Sequence, residues 1–551
     1  SNGATFYTTI LKNGTLDVTA STVQLDSTSD RYNGIQMANE VVNISSGTTV
    51  SGNVSSTTLA GQGLSMGSLN AASSNATTGF NNDGTVNVTG GTSASGIAGI
   101  NVSYGTINNN ATGTVTIDNG AGLYGTNGSK LVNNGTITVS GSGVGIAGIG
   151  TGNAAQTYGT DAGVPGKTVE IENHGTINVA GNNPIAIYAE NNTGTARGNV
   201  TVLNDKQLTV GNDGVGIAVI STTHGTTEEG GTVNVTASGS GSDIITGTKG
   251  TGIYAEDSDV NLAGNYVIET QDNGVGIFAS GNTNVAGILN YTYNGSNTGA
   301  GMGIVYDKIG ATNNANVNLI NTPATTGGMV GVYTTATSGT FTNAGTITGT
   351  SQALEFGVVS DGSNVLNSGT ITLGNAASQA QANVGIYSKA VNKTTNSGTI
   401  TVGDNAIGIY GYNVENNGTM TVGNNGVAIY TQGTGSNVDL NSGSSITLGT
   451  NQAVGVYAVG NSQNINANSG AAFNIGDNSF GFVDAGTGNM ITSNVNSVSL
   501  GNDAIYIYEN DNTGKVFNYT PVTSTGDRNY ALYGNGTMEN HADINFLAGN
   551  G

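Results

Sequence analysis

The strongest constraint on this chain is a repeat with a period of roughly 20 to 27 residues, the range typical of solenoid proteins. It is clearest in three consecutive copies, residues 396–410, 416–430 and 441–457. Each copy contains a short segment of alternating polar and apolar residues, a corner rich in Gly and Asn, a second alternating segment that ends in Tyr, and a polar loop. We therefore expect many similar turns rather than several unrelated domains.

The alternation within one copy predicts short, half-buried strands. Ile400 and Val402 share one face of the first segment, and Ile407 and Ile409 share the inward face of the second. Strands this short bury too little to be stable alone, but stacking them in register creates a continuous apolar column and aligns Asn and Thr into side-chain ladders. The predicted fold class is all-β, a single long parallel β-helix (solenoid) with protruding loops, right-handed because parallel crossovers nearly always are.

The repeat divides the chain into two regions. Residues 1–80 repeat weakly and are interpreted as irregular N-terminal rungs and a cap of the β-helix, because a solenoid needs its open end covered. Residues 81–551 are interpreted as the regular β-helix. Five segments interrupt the repeat and are expected to be outward-facing loops, where function often resides: 151–167, 221–230, 290–301, 311–328 and 509–529.

The composition excludes several classes of function. The 551-residue chain has no Cys, so it has neither a disulfide framework nor a thiolate metal site. Its net charge of −22 makes nucleic acid and anionic membranes poor partners. Its apolar runs are too short to cross a bilayer. Polar low-complexity disorder is the alternative to a solenoid, and the regular recurrence of Val and Ile argues against it.

Tyrosines at the ends of successive second segments are the clearest candidate ligand-binding residues. Tyr387, Tyr410, Tyr430 and Tyr457 are expected on the outer face, opposite the inward Ile pairs and beside a flat track of Gly and Ala. Such a row offers a rigid amphipathic surface to sugar rings or to a partner protein. The alternative is a purely structural ladder of stacked rings.

The interrupting segments supply a second set of candidate ligand-binding residues. Tyr291 and Tyr293 lie in segment 290–301, and Glu228 and Glu229 lie in segment 221–230. Loops that leave a regular scaffold expose such side chains to partners.

Acidic residues form the third set. Glu190 and Glu256 each follow a Tyr by two residues, with Ile220 at the matching position of the turn between. Two strand spacings then separate the carboxylates by roughly 9.5 Å, within the range used by sugar-cleaving enzymes. Asp257 and Asp259 also suit an oxygen-liganded cation. The alternative is solvated acidic decoration, and the widely spaced histidines complete no catalytic trio, so we assign no catalytic or metal-binding residue and no cofactor.

The alternation of residues 396–405 with residues 406–410 resembles the passenger domains of type V autotransporters, in particular the large monomeric adhesins of fusobacteria. The resemblance covers about residues 80–545. It implies a signal peptide and a C-terminal membrane β-barrel outside this sequence, with the passenger displayed at the outer membrane on the extracellular surface. It also implies virulence-related adhesion, but it assigns no binding residue.

The sequence therefore predicts a non-enzymatic surface adhesin that acts as a monomer. We expect attachment to host cell-surface proteins or glycans and coaggregation through surface proteins of other bacteria, mediated by the loops and one face of the β-helix. The alternative is a β-helical polysaccharide-degrading enzyme, which the surplus of acidic residues also suits.

Overall fold

The computed structural model confirms a nearly all-parallel β-solenoid. It describes the following stretches of the chain: residues 15–18, 22–27, 32–37, 41–54, 61–66, 79–90, 97–103, 105–126, 129–150, 167–191, 199–221, 231–239, 241–296, 299–321, 327–350, 354–389 and 391–547. The chain divides into two compact units, residues 1–289 and 290–551, and each is a stack of similar turns. The handedness of the coil and the N-terminal cap remain predictions.

Each regular turn contains three strands, one more than the sequence predicted. In one turn of the second unit these strands are Asn413–Asn416, Thr419–Val422 and Val427–Thr431. The first of them lies in the segment that the sequence indicated as a polar loop. Its alternate residues Val414 and Asn416 are both buried, and because one of the two is polar, the hydrophobic pattern concealed the strand. We call the three types ladder, threonine and tyrosine strands, in chain order.

The strands of the first unit pair in parallel with their equivalents in neighbouring turns. The ladder strands are Thr15–Val18, Val41–Ile44, Gly79–Asn82, Thr106–Asn109, Ser129–Asn133, Lys167–Asn173, Asn199–Asn204, Thr232–Thr236 and Asp259–Thr270, the last of which also extends the threonine column. The threonine strands are Thr22–Ser27, Thr49–Val54, Thr85–Thr89, Thr114–Asp118, Thr136–Ser140, Thr176–Val179, Leu208–Val210 and Ile244–Thr246. The tyrosine strands are Tyr32–Met37, Gly61–Met66, Ala98–Ser103, Ala121–Thr126, Val144–Gly150, Ile185–Asn191, Val215–Ser221, Thr251–Glu256 and Val275–Ser280.

The second unit repeats this arrangement, and the strand Val285–Tyr293 spans the division between the units. Its ladder strands are Thr312–Asn313, Thr340–Asn343, Asn364–Asn367, Lys393–Asn396, Asn413–Asn416, Asn437–Leu440, Asn464–Ala467, Met490–Ser493, Lys515–Asn518 and Thr537–Asn540. Its threonine strands are Asn316–Asn321, Thr346–Gly349, Thr370–Leu373, Thr399–Val402, Thr419–Val422, Ser445–Leu448, Ala472–Ile475, Val498–Leu500, Val522–Ser524 and Ile544–Phe546. Its tyrosine strands are Ala300–Tyr306, Gly328–Thr334, Glu355–Ser360, Val384–Ser388, Ile407–Gly411, Val427–Thr431, Val454–Ala458, Phe480–Asp484, Ile505–Glu509 and Tyr530–Gly534.

Register in the threonine strands places like residues over like. Ile371, Ile400, Met420, Ile446 and Phe473 are successive partners, and each is at most 4% exposed. The threonines that alternate with them are half-exposed or, at Thr419, exposed on the outer face. The predicted period-two strand is confirmed here, and it supplies one wall of the core.

Tyrosine strands depart from strict alternation. Gly408 and Ile409 are both buried, whereas Ile407 is half-exposed, so the prediction that Ile407 points inward is wrong. A Cβ added at Gly408 would lie 2.6 Å from the Ala428 carbonyl oxygen and 2.6 Å from Cε of Met420. The core is thin where two consecutive residues turn inward, and a small residue is required because the opposite wall is so close.

Buried asparagines link the ladder strands of successive turns. In the chain from Asn82 through Asn204, each Nδ2 donates to the Oδ1 of the next turn at 2.7 to 2.8 Å. A second chain runs from Asn313 to Asn416 with distances of 2.8 to 2.9 Å. These side chains are fully buried, so the predicted asparagine ladder satisfies groups that water cannot reach. The members are Asn82, Asn109, Asn133, Asn173 and Asn204, and Asn313, Asn343, Asn367, Asn396 and Asn416.

The predicted Gly/Asn corners are confirmed. Asn405 and Asn425 adopt φ angles of 58° and 54°, a conformation that Asn tolerates better than most residues. The preceding Asp404 accepts the backbone N–H of Asn424 at 2.7 Å through Oδ1. A hydrogen bond from the backbone of one corner to a side chain of the preceding corner therefore links successive turns.

The structure corrects part of the loop assignment. Segment 509–529 contains the strands Lys515–Asn518 and Val522–Ser524, and segment 311–328 contains Thr312–Asn313 and Asn316–Asn321. These segments look irregular in sequence because polar residues occupy positions that are apolar elsewhere, although the backbone continues the solenoid. Residues 151–166 and 222–230 lie outside the described residues.

Candidate functional site

The four predicted tyrosines form a stack on the outer surface of the second unit. Centroids of the rings of Tyr387, Tyr410, Tyr430 and Tyr457 are 5.0, 5.0 and 5.6 Å apart, with interplanar angles of 21°, 6° and 18°. Each side chain is half-exposed, whereas the neighbouring Ile409 is fully buried. The expected outward placement is therefore observed.

Stacking determines which parts of these rings a ligand can reach. The faces of Tyr410 and Tyr430 lie against neighbouring rings, so ring edges and hydroxyls remain for solvent. Burial raises the pKa of both hydroxyls, and adjacent tyrosines add to the shift, so Tyr410 and Tyr430 stay protonated at neutral pH. The expected track of small residues beside the rings is wrong, because Gly408 and Ala428 are buried in the core. This geometry favours a protein surface over sugar rings, which bind to aromatic faces.

A second column of outward apolar residues runs beside the tyrosines. Ile407, Val427, Phe480 and Ile505 are half-exposed, and Tyr530 is 49% exposed. Register places all five at one position of the tyrosine strands, where Val384 and Val454 in the intervening or preceding turns are buried. We call this column together with the tyrosine stack the aromatic face.

Two predicted loop residues lie in the protein interior. Tyr291 and Tyr293 are fully buried in the strand Val285–Tyr293, and the Tyr293 hydroxyl donates to the Gly299 carbonyl oxygen at 3.1 Å. They alternate with the half-exposed Asn290 and Thr292, which is the inward–outward alternation of a strand. The prediction that segment 290–301 is an outward-facing loop is therefore wrong for these residues. Exposure of these tyrosines to a ligand is therefore contradicted.

The acidic candidates belong to the first unit. Glu190 and Glu256 both pair in register with Ile220, which confirms that one turn lies between them and that they are two turns apart. Each accepts a hydrogen bond from a tyrosine two residues earlier, Tyr188 at 2.6 Å and Tyr254 at 3.1 Å. Glu228 and Glu229 lie outside the described residues.

The Asp257 side chain accepts a hydrogen bond from the backbone of the next turn. Its φ is 47°, and its Oδ1 accepts the N–H of Asn282 at 2.7 Å. Asp259 begins the strand Asp259–Thr270 and is exposed. Among the described residues, no group of three or more His, Asp or Glu side chains is arranged to hold a metal ion.

Two buried carboxyl groups were missed by the sequence analysis. Asp484 and Glu509 are register partners at the ends of consecutive tyrosine strands, and both are fully buried. Asp484 Oδ1 accepts Asn489 Nδ2–H at 2.6 Å, and Glu509 Oε1 accepts the Asp511 N–H at 2.9 Å. Burial raises the pKa of Glu509 to about 8, and the Asp484 charge adds to the shift. Asp484 Oδ2 and Glu509 Oε2 are both buried without a hydrogen-bond partner. The sequence did contain a signal for this pair. The two acidic residues occupy the strand position that Thr431 and Ala458 hold in earlier turns.

A group of charged side chains lies on the first unit. Lys130 Nζ is 2.7 Å from Glu172 and 3.4 Å from Glu170, and His174 Nδ1 is 2.7 Å from Asp205. These pairs join residues of successive ladder strands and their corners. They are partly exposed, so they contribute modestly to stability.

Comparisons with known protein-family models, with curated proteins and with solved structures each find no match to this chain. Within the part of the chain that the structure describes, no helix has the length and apolar character to cross a membrane.

Proposed function

We propose that the protein is a non-enzymatic bacterial surface adhesin and that the aromatic face of its second unit binds partner proteins. The observation that carries this proposal is the row of stacked, half-exposed tyrosines beside a parallel column of outward Ile, Val and Phe. Exposed apolar side chains grouped on one face mark interaction sites on soluble proteins. Tyrosine suits such sites because a rigid ring carries a polar hydroxyl.

The solenoid also suits the role of a display scaffold. Hydrogen bonds and side-chain ladders join each turn to the next, so a flat row of equivalent positions is held with little conformational freedom. A preorganised row loses less entropy on binding than a flexible loop does. The resemblance to autotransporter passengers adds the expected setting, which is the outer surface of a bacterium with host cells and other bacteria as partners.

The test is binding of the purified chain to host cells and to partner bacteria by flow cytometry. The Tyr410→Ala/Tyr430→Ala variant should lose binding by about tenfold or more, as expected for the loss of two interface tyrosines. The control variant Thr401→Ala/Thr421→Ala alters outward residues of the same two turns on a different wall and should bind like the wild type. Circular dichroism confirms that both variants are folded. Undiminished binding by the tyrosine variant would contradict the proposal.

One observation favours polysaccharide degradation as a second candidate function. Register sets Glu190 and Glu256 two turns apart, roughly 9.5 Å, which is the upper end of the carboxylate spacing in inverting glycosidases. Both carboxylates accept tyrosine hydroxyls, which reduces their capacity to act on a substrate. Release of reducing ends from a polysaccharide panel, lost in Glu190→Gln and Glu256→Gln, would establish this activity and displace the adhesin proposal.

A further inference from the structure

Adjacent turns of the second unit hold tyrosine rings face to face. Tyr410 and Tyr430 are register partners, with ring centroids 5.0 Å apart and planes that differ by 6°. Tyr387 covers the other face of Tyr410, and its centroid is also 5.0 Å away. Nearly parallel rings attached at the same strand position place the carbons beside one hydroxyl next to the equivalent carbons of the neighbour. The stack therefore brings together phenol groups that can react with each other.

The hydroxyl ends of these rings face solvent. Tyr410 and Tyr430 are both half-exposed, because the preceding Ile409 and Ile429 are the residues that point into the core. Rotation about the bond between Cβ and a tyrosine ring has a broad energy minimum, so the outer ring edges can tilt toward each other without a backbone shift. An oxidant in solution can therefore reach the oxygens, and the carbons beside them can approach each other.

One-electron oxidation of two neighbouring phenols gives a covalent product. Each hydroxyl loses one electron and one proton to form a phenoxyl radical, whose unpaired electron is shared with the two ring carbons beside the oxygen. Two such radicals combine through one of these carbons on each ring, and the hydrogens displaced from the carbons move to the oxygens. The new C–C bond thus replaces two C–H bonds. The two electrons and two protons that are removed reduce one hydrogen peroxide to two water molecules when a peroxidase is the catalyst.

Two other stacked pairs lack one of the features that this reaction needs. Tyr254 stacks on Phe278 with centroids 5.5 Å apart, and Phe has no hydroxyl from which a phenoxyl radical can form. Tyr519 is 46% exposed, but the ring stacked on it is that of His541. Neither stacking nor exposure alone supplies two phenols in contact.

We propose that Tyr410 and Tyr430 form a site of oxidative modification, at which a peroxidase that uses hydrogen peroxide joins the two rings as dityrosine. The Tyr387–Tyr410 and Tyr508–Tyr533 pairs, stacked at 5.0 and 5.6 Å, are expected secondary sites. The main link covalently joins two consecutive turns whose tyrosines are 20 residues apart in sequence. When the chain is pulled, the link withholds about 70 Å of polypeptide from extension, at roughly 3.4 Å per residue. This modification does not depend on what the aromatic face binds, so it goes beyond the adhesin proposal.

The test is oxidation of the purified, folded chain by a peroxidase and hydrogen peroxide at neutral pH, followed by mass spectrometry of linked peptides. Cleavage after acidic residues places the four stacked tyrosines in different peptides, because one acidic residue lies between each consecutive pair: Asp404, Glu415 and Asp439. Fragment ions distinguish Tyr410 from Tyr412 in the same peptide. With the chain at about 1 μM, we expect the Tyr410–Tyr430 link within one chain to exceed links between chains by at least about a hundredfold, because neighbouring groups in one molecule have an effective concentration of about millimolar or more.

Tyr430→Phe is the decisive variant, because it keeps a ring in the stack and removes only the hydroxyl. Its dityrosine fluorescence should fall clearly below that of the wild type, with an unchanged circular dichroism spectrum. The matched control Tyr519→Phe removes an exposed hydroxyl outside the stack and should keep the wild-type signal.

Unfolding in urea before oxidation should replace the Tyr410–Tyr430 link by links among many tyrosines, because the register that pairs these two is lost. The proposal would be overturned by links found only between chains, by hydroxylated tyrosine without a link, or by the same pattern of links in folded and unfolded chains. Cell binding by the unoxidised chain is measured separately, so the adhesin proposal and this one can each fail alone.

Discussion

Replacing Glu509 by Gln should change how the stability of the second unit depends on pH. Glu509 is fully buried against Asp484, and its pKa of about 8 lies above the ordinary value of 4.5. The folded chain therefore keeps a proton that the unfolded chain loses at lower pH. The free energy of unfolding should be highest below about pH 4.5 and should fall as pH rises through about 8.

The size of the effect follows from the shift. At about 1.4 kcal/mol per pKa unit, moving from 4.5 to about 8 corresponds to about 5 kcal/mol at most. This is comparable with the whole stability of a small domain. Glutamine reproduces the neutral form, because its Oε1 can still accept the Asp511 N–H and its amide can donate to Asp484. The variant should match the wild type at acidic pH and exceed its stability above about pH 8.

Hydrogen exchange measured by mass spectrometry provides the assay. Exchange is corrected for its intrinsic pH dependence, and opening free energies are compared for amides of Ile505–Glu509 and Lys515–Asn518 at about pH 5, 6.5, 8 and 9. The wild type should lose protection across this range, whereas Glu509→Gln should not. Asp543→Asn, at an exposed carboxyl, is the control and should follow the wild type. Parallel profiles for wild type and Glu509→Gln would refute the reasoning.

Three further predictions concern the ladder, the thin core and the acidic surface. Asn367→Ala should lower the free energy of unfolding by about 2 to 4 kcal/mol, because its two buried ladder partners each lose a hydrogen bond. The control Asn474→Ala, at an exposed position, should lower it by under about 0.5 kcal/mol, and denaturant unfolding measures both. Gly455→Ala should cost about 1 to 3 kcal/mol, because its Cβ would lie 2.5 Å from Cε1 of Phe473 and 2.5 Å from the Gly481 carbonyl oxygen; an unchanged thermal midpoint would contradict this. Association with a basic partner should slow steeply as salt rises, since the Debye length is about 10 Å at 0.1 M; on-rates that ignore salt would exclude steering by charge.

Periodicity was sufficient to predict the stacked, parallel architecture. Ile400 and Val402 alternate with Thr399 and Thr401. In the structure the two apolar residues are buried and the two threonines are half-exposed. Asn405 marks the corner because few residue types tolerate its positive φ. These features are local, so the sequence displays them directly.

The ladder strands and the buried tyrosines could not be predicted in the same way. Asn416 is as buried as Ile400, but its burial depends on hydrogen bonds to asparagines 20 or more residues away. Tyr291 and Tyr293 alternate with Asn and Thr, a composition that resembles a loop until the strand is seen in its sheet. Polar positions reveal an inward orientation only when their partners in other turns are known.

The sequence predicted only some of the candidate binding residues, again because it does not show which residues are partners in neighbouring turns. The outward row from Tyr387 to Tyr457 follows from alternation and from the matching place of each Tyr at the end of its strand. What each ring contacts depends on which residue lies one turn away, which is Tyr430 for Tyr410 in the second unit and Ala218 for Tyr188 in the first. Unequal turn lengths conceal that register in the linear sequence.

The most direct test of stacking in register is a series of spin-label distances in the second unit. The chain has no native Cys, so cysteine pairs can be introduced at half-exposed threonine-strand positions. Position 523 is six register steps from Thr372, five from Thr401 and four from Thr421. At roughly 4.8 Å per turn, double electron–electron resonance should give mean distances of about 29, 24 and 19 Å. Equal steps are predicted although 29 residues separate the first two positions and 20 the next two. Distances that scale with sequence separation, or that show no regular decrement, would contradict the stacked solenoid.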